Sequence, residues 1–66
     1  MPHIAISMIP GRSREAKKEL ALKVQEFVCD QLELDSSIVS VSVEDILKEN
    51  WEEHRKAFPK ENIYTD

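Results

Sequence analysis

Glycine, cysteine and tryptophan each occur once in this chain, aromatics make up only 6% of it, and basic residues are outnumbered by acidic ones, nine to thirteen. Each scarcity excludes something. A lone Cys29 cannot close an internal disulfide, and His3 and His54 lie far apart with no thiols near either, so no cluster has metal-ligand spacing. A formal net charge of −4 lacks the basic footprint of a nucleic-acid-binding protein. No apolar run approaches the roughly 20 residues of a membrane span, and the N-terminal stretch lacks the basic region, long apolar region and small-residue cleavage site of a secretory signal. A cytoplasmic protein without a membrane partner is the expectation. Sixty-six residues make one domain, 1–66, whose own core is worth only about 3 to 5 kcal/mol. With neither disulfide nor metal as a staple, self-association is expected.

What is present is patterned. Residues 1–23 carry five cations against two anions, and residues 24–66 carry four against eleven, so the amino end is locally cationic. His3 to Ile9 alternates, with Ile4, Ile6 and Met8 on one face and His3, Ala5 and Ser7 on the other, until Pro10 and Gly11 break the run. Ser13 is a natural N-cap, and Ala16, Leu20, Val24, Phe27, Val28 and Leu32 form the stripe of an amphipathic helix over about residues 14–33. Asp35, Ser36 and Ser37 make a polar connection to a second alternating run, Ile38 to Val43. Strand, long helix and strand make a βαβ unit with parallel strands and a right-handed crossover. Asn50 followed by Glu53 suggests a capping box for a short helix from Trp51 to about Phe58, stopped by Pro59. The tail KENIYTD is expected to form a short extra strand or arm.

Proline directly after the initiator methionine, in front of a strand, brings no hydrogen bond to a sheet. Removal of Met1 would make Pro2 the amino terminus, and its ring nitrogen a secondary amine. An α-amino group titrates at about 7.7 to 8.0, and burial or nearby cations lower that value because both disfavour the ammonium form. With Met1 retained, the same nitrogen is a tertiary amide with no lone pair for catalysis. Arg12 offers a planar fork that grips a carboxylate through two hydrogen bonds, just before a helix whose free N–H groups also favour anions. Arg12, Arg14 and Lys17 crowd the end of a helix that repels cations, an arrangement that suits an anionic ligand. Cys29 reads as a small, buried or half-buried thiol on or beside the helix stripe, while Lys17, Lys18, His3, His54 and the charges from Glu49 to Lys56 read as solvated or structural.

PHIAI at the start, GRS opening a long helix, a second strand of serines and valines, and an aromatic at Trp51 together resemble the 4-oxalocrotonate tautomerase family of the tautomerase superfamily. MPHI, DSSI at 35–38 and ENW before a charged helix are most similar to its bacterial phenylpyruvate-tautomerase-like branch. The resemblance covers the chain through residue 58. It implies an α+β, βαβ tautomerase fold completed by oligomerisation into a four-stranded sheet per dimer, with a dimer favoured and a hexamer second. It implies Pro2 as catalytic base after loss of Met1, Arg12 as the carboxylate ligand, Trp51 as an apolar wall, and no cofactor or metal. The second arginine of the family's dicarboxylate enzyme is absent, and Ser40 stands in its place, which points to a 2-oxo monocarboxylate with an apolar or aromatic tail. Ser40, His3 and a backbone N–H are the candidates for stabilising the oxyanion. A non-catalytic module holding a small anion through Arg12, or a purely structural oligomerisation unit, are the alternatives.

Overall fold

The alternation of Ile4, Ile6 and Met8 with His3, Ala5 and Ser7 forms strand β1, His3–Met8, in the computed structural model, which describes residues 1–66. Pro10 and Gly11 end it. The Ser13 hydroxyl then accepts the Ala16 N–H at 3.1 Å and starts helix α1, Arg14–Leu32. The helix stops at Glu33, which takes a left-handed conformation (φ 56°), and the next amide, from Leu34, closes on the Cys29 carbonyl at 2.9 Å. A 3₁₀ turn, Ser36–Ile38, follows; the Asp35 carboxylate accepts hydrogen bonds from both the hydroxyl and the amide of Ser37. Strand β2 is Ser40–Asp45, parallel to β1, with His3 opposite Ser40 and Met8 opposite Asp45.

Two polar side chains hold the helix in place. Gln25 donates to the carbonyls of Val39 (2.8 Å) and Ser36 (3.2 Å) at the entry to β2, and Lys17 donates to Asp45 (2.6 Å) at its exit. The helix therefore runs antiparallel to β2 and lies over that strand rather than over β1. Lys17, expected in solvent, instead spans the two layers with its side chain 23% exposed.

The helix face that meets the sheet is rotated from the expected stripe. Lys17, Ala21, Val24, Gln25, Val28 and Cys29 are at least half-covered, whereas Ala16, Leu20, Phe27 and Leu32 stay exposed. At 3.6 residues per turn, Leu20 and Phe27 project from the flank of α1 opposite to Lys18 and Gln25, overhanging the side where β1 lies. The apolar stripe is wider than one chain can cover.

Three local expectations are corrected. β2 begins at Ser40 rather than Ile38, because the 3₁₀ turn takes up residues 36–38. Asn50 makes no side-chain cap: its backbone is already helical at the end of a second 3₁₀ turn, Lys48–Asn50, which leads straight into helix α2, Trp51–Lys56. The tail forms no strand, only a 3₁₀ turn at Lys60–Asn62, with Arg55 facing the Asp66 carboxylate at 3.9 Å.

Val39 alone is fully buried. The chain exposes 5699 Å², against about 4,300 Å² for a compact monomer of this mass. It is a slab of 37 × 32 × 17 Å, one helix layer on one sheet layer.

Ser13→Ala is expected to lower stability by about 1 kcal/mol in urea unfolding, through loss of the α1 cap. The bonds from Ser37 hold the Asp35 carboxyl below the usual carboxylate range. A depressed folded pKa contributes stability above the unfolded value, and that contribution disappears as the pH falls through the folded value. Unfolding midpoints compared at pH 7 and pH 3 should therefore show a smaller acid loss in Asp35→Asn than in the parent chain.

Candidate functional site

The four residues that the sequence nominates fall into two pairs. Pro2 and Ser40 sit together where the strands begin: the Ser40 amide donates to the Pro2 carbonyl at 3.2 Å. Pro2 is half-buried, while Met1 in front of it is 95% exposed and open to a processing enzyme. Arg12 and Trp51 come after the strands end, Arg12 in the turn before α1 and Trp51 at the start of α2. Six residues of β1 separate the two pairs, about 17 Å from His3 to Met8 at the usual rise per residue. No groove of the single chain is lined by Pro2, Arg12, Ser40 or Trp51. One chain thus holds the two pairs at opposite ends of its sheet.

The turn that carries Arg12 uses the chain's only glycine. Gly11 has φ +141°, a conformation that L side chains rarely adopt, although open space surrounds the position where a Cβ would stand. The constraint there is torsional. Arg12 itself is exposed, as are Ser13 and Arg14 beside it, so its guanidinium is free to meet an anion.

Both histidines have partners that spacing alone did not indicate. On the sheet face away from α1, the His3 ring lies between two hydroxyls, with Nδ1 2.7 Å from Ser40 Oγ and Nε2 2.9 Å from Ser42 Oγ. The parallel register is what brings them together, since it sets His3 opposite Ser40 and Ala5 opposite Ser42. His54 pairs through Nε2 with Ser7 Oγ at 2.7 Å in a half-covered setting. Its ring stands edge-on to Phe58, with centroids 5.4 Å apart, and 6.3 Å from Trp51. This bond fastens α2, and Trp51 with it, to the end of β1.

A family model described as tautomerase enzyme matches residues 2–62. The chain belongs to the tautomerase family. It is similar to a probable tautomerase of Xylella fastidiosa (strain 9a5c), with 47% identity over 51 residues, covering 77% of this chain and 62% of that protein. It is also similar to the 2-hydroxymuconate tautomerase of Comamonas testosteroni, with 39% identity over 51 residues, 77% of this chain and 81% of that one. No solved structure matches. The βαβ architecture, parallel strands and crossover helix are those expected of a tautomerase fold.

No three His, Cys, Asp or Glu side chains of this tautomerase-family chain gather as a metal-binding set, and no helix is long and apolar enough to cross a membrane. Sequence reasoning missed the His3 and His54 pairings because each joins side chains about forty positions apart. The alternation of serines with valines in β2 was the available signal, since it places Ser40 and Ser42 on one face.

Gly11→Ala is expected to weaken the fold by about 1 kcal/mol through backbone strain alone, read by urea unfolding. His54→Ala should raise amide exchange across Trp51–Lys56 and shift Trp51 fluorescence to longer wavelength, while leaving exchange in α1 unchanged.

Proposed function

We propose that the protein is a cofactor-independent tautomerase that moves a proton between the enol and ketone forms of a small 2-oxo acid. What supports this reading above all is that the family match begins at Pro2, the residue whose nitrogen becomes a secondary amine once Met1 is removed. Pro2 takes the enol hydroxyl proton, or a carbon-bound proton in the reverse direction, and its conjugate acid returns a proton to the other atom. One base serving two atoms needs no metal. The partner subunit's Arg12 holds the carboxylate, Trp51 supplies an apolar wall, and Ser40 lies beside the reacting carbon and oxygen. With serine at position 40 in place of a second cation, a phenylpyruvate-like monocarboxylate suits the site better than a dicarboxylate. A cytoplasmic setting accords with the free thiol of Cys29.

The separation of Pro2 from Arg12 makes a homo-oligomer part of the proposal. Helix α1 lies over β2, so the outer edge of β1 and the apolar flank of Leu20 and Phe27 are left uncovered on the same side. A two-fold axis perpendicular to the sheet joins β1 to the β1 of a second copy, and such a pairing is antiparallel. It makes a four-stranded sheet with both helices on one face. It also sets the start of one β1 beside the end of the other, so Pro2 meets the partner subunit's Arg12. The dimer is the favoured state, with a hexamer as the second.

With Met1-free protein and the enol of an aryl pyruvate followed by ultraviolet absorbance, Pro2→Ala is expected to lose about 10²- to 10⁴-fold in kcat. Arg12→Ala should chiefly raise KM. Equal turnover in the parent chain and Pro2→Ala would leave the anion-binding module as the better reading. After mixing and refolding the two variants, half the dimers are hybrids with one intact site, so about a quarter of the parent activity should return. A mixture no more active than its components would place the whole site within one chain.

A further inference from the structure

His3 lies next to Pro2 in sequence and joins the start of β1 to β2 through Ser40, in a connected set of groups. The Ser40 amide holds the Pro2 carbonyl at 3.2 Å, and the Ser40 hydroxyl holds His3 Nδ1 at 2.7 Å. On the far side of the ring, Ser42 Oγ stands 2.9 Å from Nε2. The rest of this sheet face is Ala5, Ser7 and Glu44, with His54 beyond Ser7. The cations at the start of α1 belong to the opposite layer. Within one chain, therefore, no guanidinium or ammonium shares this face with Ser40, and the side-chain groups joined there are two hydroxyls and one imidazole.

A neutral imidazole has one N–H and one lone pair, so its two serine partners cannot play the same role. If Ser40 gives its proton to Nδ1, its hydroxyl has none left for a ligand. If Nδ1 carries the proton, the ring donates to Ser40 Oγ, Ser42 donates to Nε2, and the Ser40 O–H is free to turn outward. We propose that His3 is a positioning residue that holds Ser40 in this second state, so that the Ser40 hydroxyl donates to the 2-oxo oxygen as negative charge develops on it. Ser42 fixes the ring tautomer from behind. The hydrogen bond stabilises the oxyanion without proton transfer from serine, and Pro2 alone moves the proton. The inference rests on the reading of Pro2 as the catalytic base, and it accounts for how that base could work in a site lacking a second arginine.

The test is a double-mutant cycle in Met1-free protein with the aryl pyruvate enol as substrate. Ser40→Ala and His3→Leu are each expected to lower kcat about 10- to 100-fold with KM changed less than about twofold. The double variant should be no slower than the slower single one, because the two groups act as one unit. His3→Asn, whose amide nitrogen can stand where Nδ1 stands, should recover most of the loss. His3 and Ser40 are both exposed, and circular dichroism with size-exclusion chromatography verifies that each variant keeps its fold and assembly. Unchanged kcat in His3→Leu, losses that multiply in the double variant, or no recovery in His3→Asn would each overturn the assignment of His3. Pro2→Ala in the same assay keeps the questions separate. A Pro2→Ala protein with full activity removes the base itself, whereas an inactive Pro2→Ala beside a fully active His3→Leu removes only the positioning role.

Discussion

A single helix laid over one strand of a parallel pair leaves the other strand without a cover, and this shortage of burial governs the molecule. Val39 is the only residue removed from solvent, and the exposed area exceeds that of a compact chain of the same mass by about 1,400 Å². Part of this surface lies on one side: Leu20 and Phe27 on the flank of α1 are exposed, the outer edge of β1 is unpaired, and Ile4, Ile6 and Met8 on its helix-facing side are only partly covered. Polar bonds fix the helix over β2: Gln25 at one end and Lys17 at the other hold its direction, while the apolar stripe extends past them.

The same constraint divides the chemistry. Elements that follow β1 and β2 carry Arg12 and Trp51, and the starts of the strands carry Pro2 and Ser40. A parallel pair keeps its two starts together and its two ends together, so no folding of the single chain brings the proposed base to the proposed anion ligand. In the proposed dimer the two-fold axis exchanges starts for ends, and assembly and activity become one event. Charge follows this division. Arg12, Arg14 and Lys18 gather near the positive end of the α1 dipole with only Lys17 neutralised, by Asp45. That cationic corner would lie next to Pro2 of a second copy, where it would disfavour the ammonium form of the amine.

Much of this was legible in the sequence. Alternation identified both strands and their faces, Ser13 marked the start of the helix, and strand-helix-strand order implied parallel pairing, all of which the structure contains. Periodicity assigned Ala16, Leu20, Phe27 and Leu32 to a buried stripe, but a stripe reports what is apolar and not which chain covers it. Asn50 failed as a cap because Lys48–Asn50 had already begun to coil. Lys17 escaped notice because its partner, Asp45, becomes a neighbour only through the crossover. The site residues could be named one by one from the resemblance, yet their division between two ends of the sheet follows from register and direction, which no short motif carries.

Gly11 shows how tightly the Arg12 turn is specified. Nothing crowds its missing side chain, so a larger residue would fit the space and still be strained by the torsion angle. Selection at this position would act on the backbone path alone, keeping the one achiral residue in place ahead of Arg12 whatever space surrounds it.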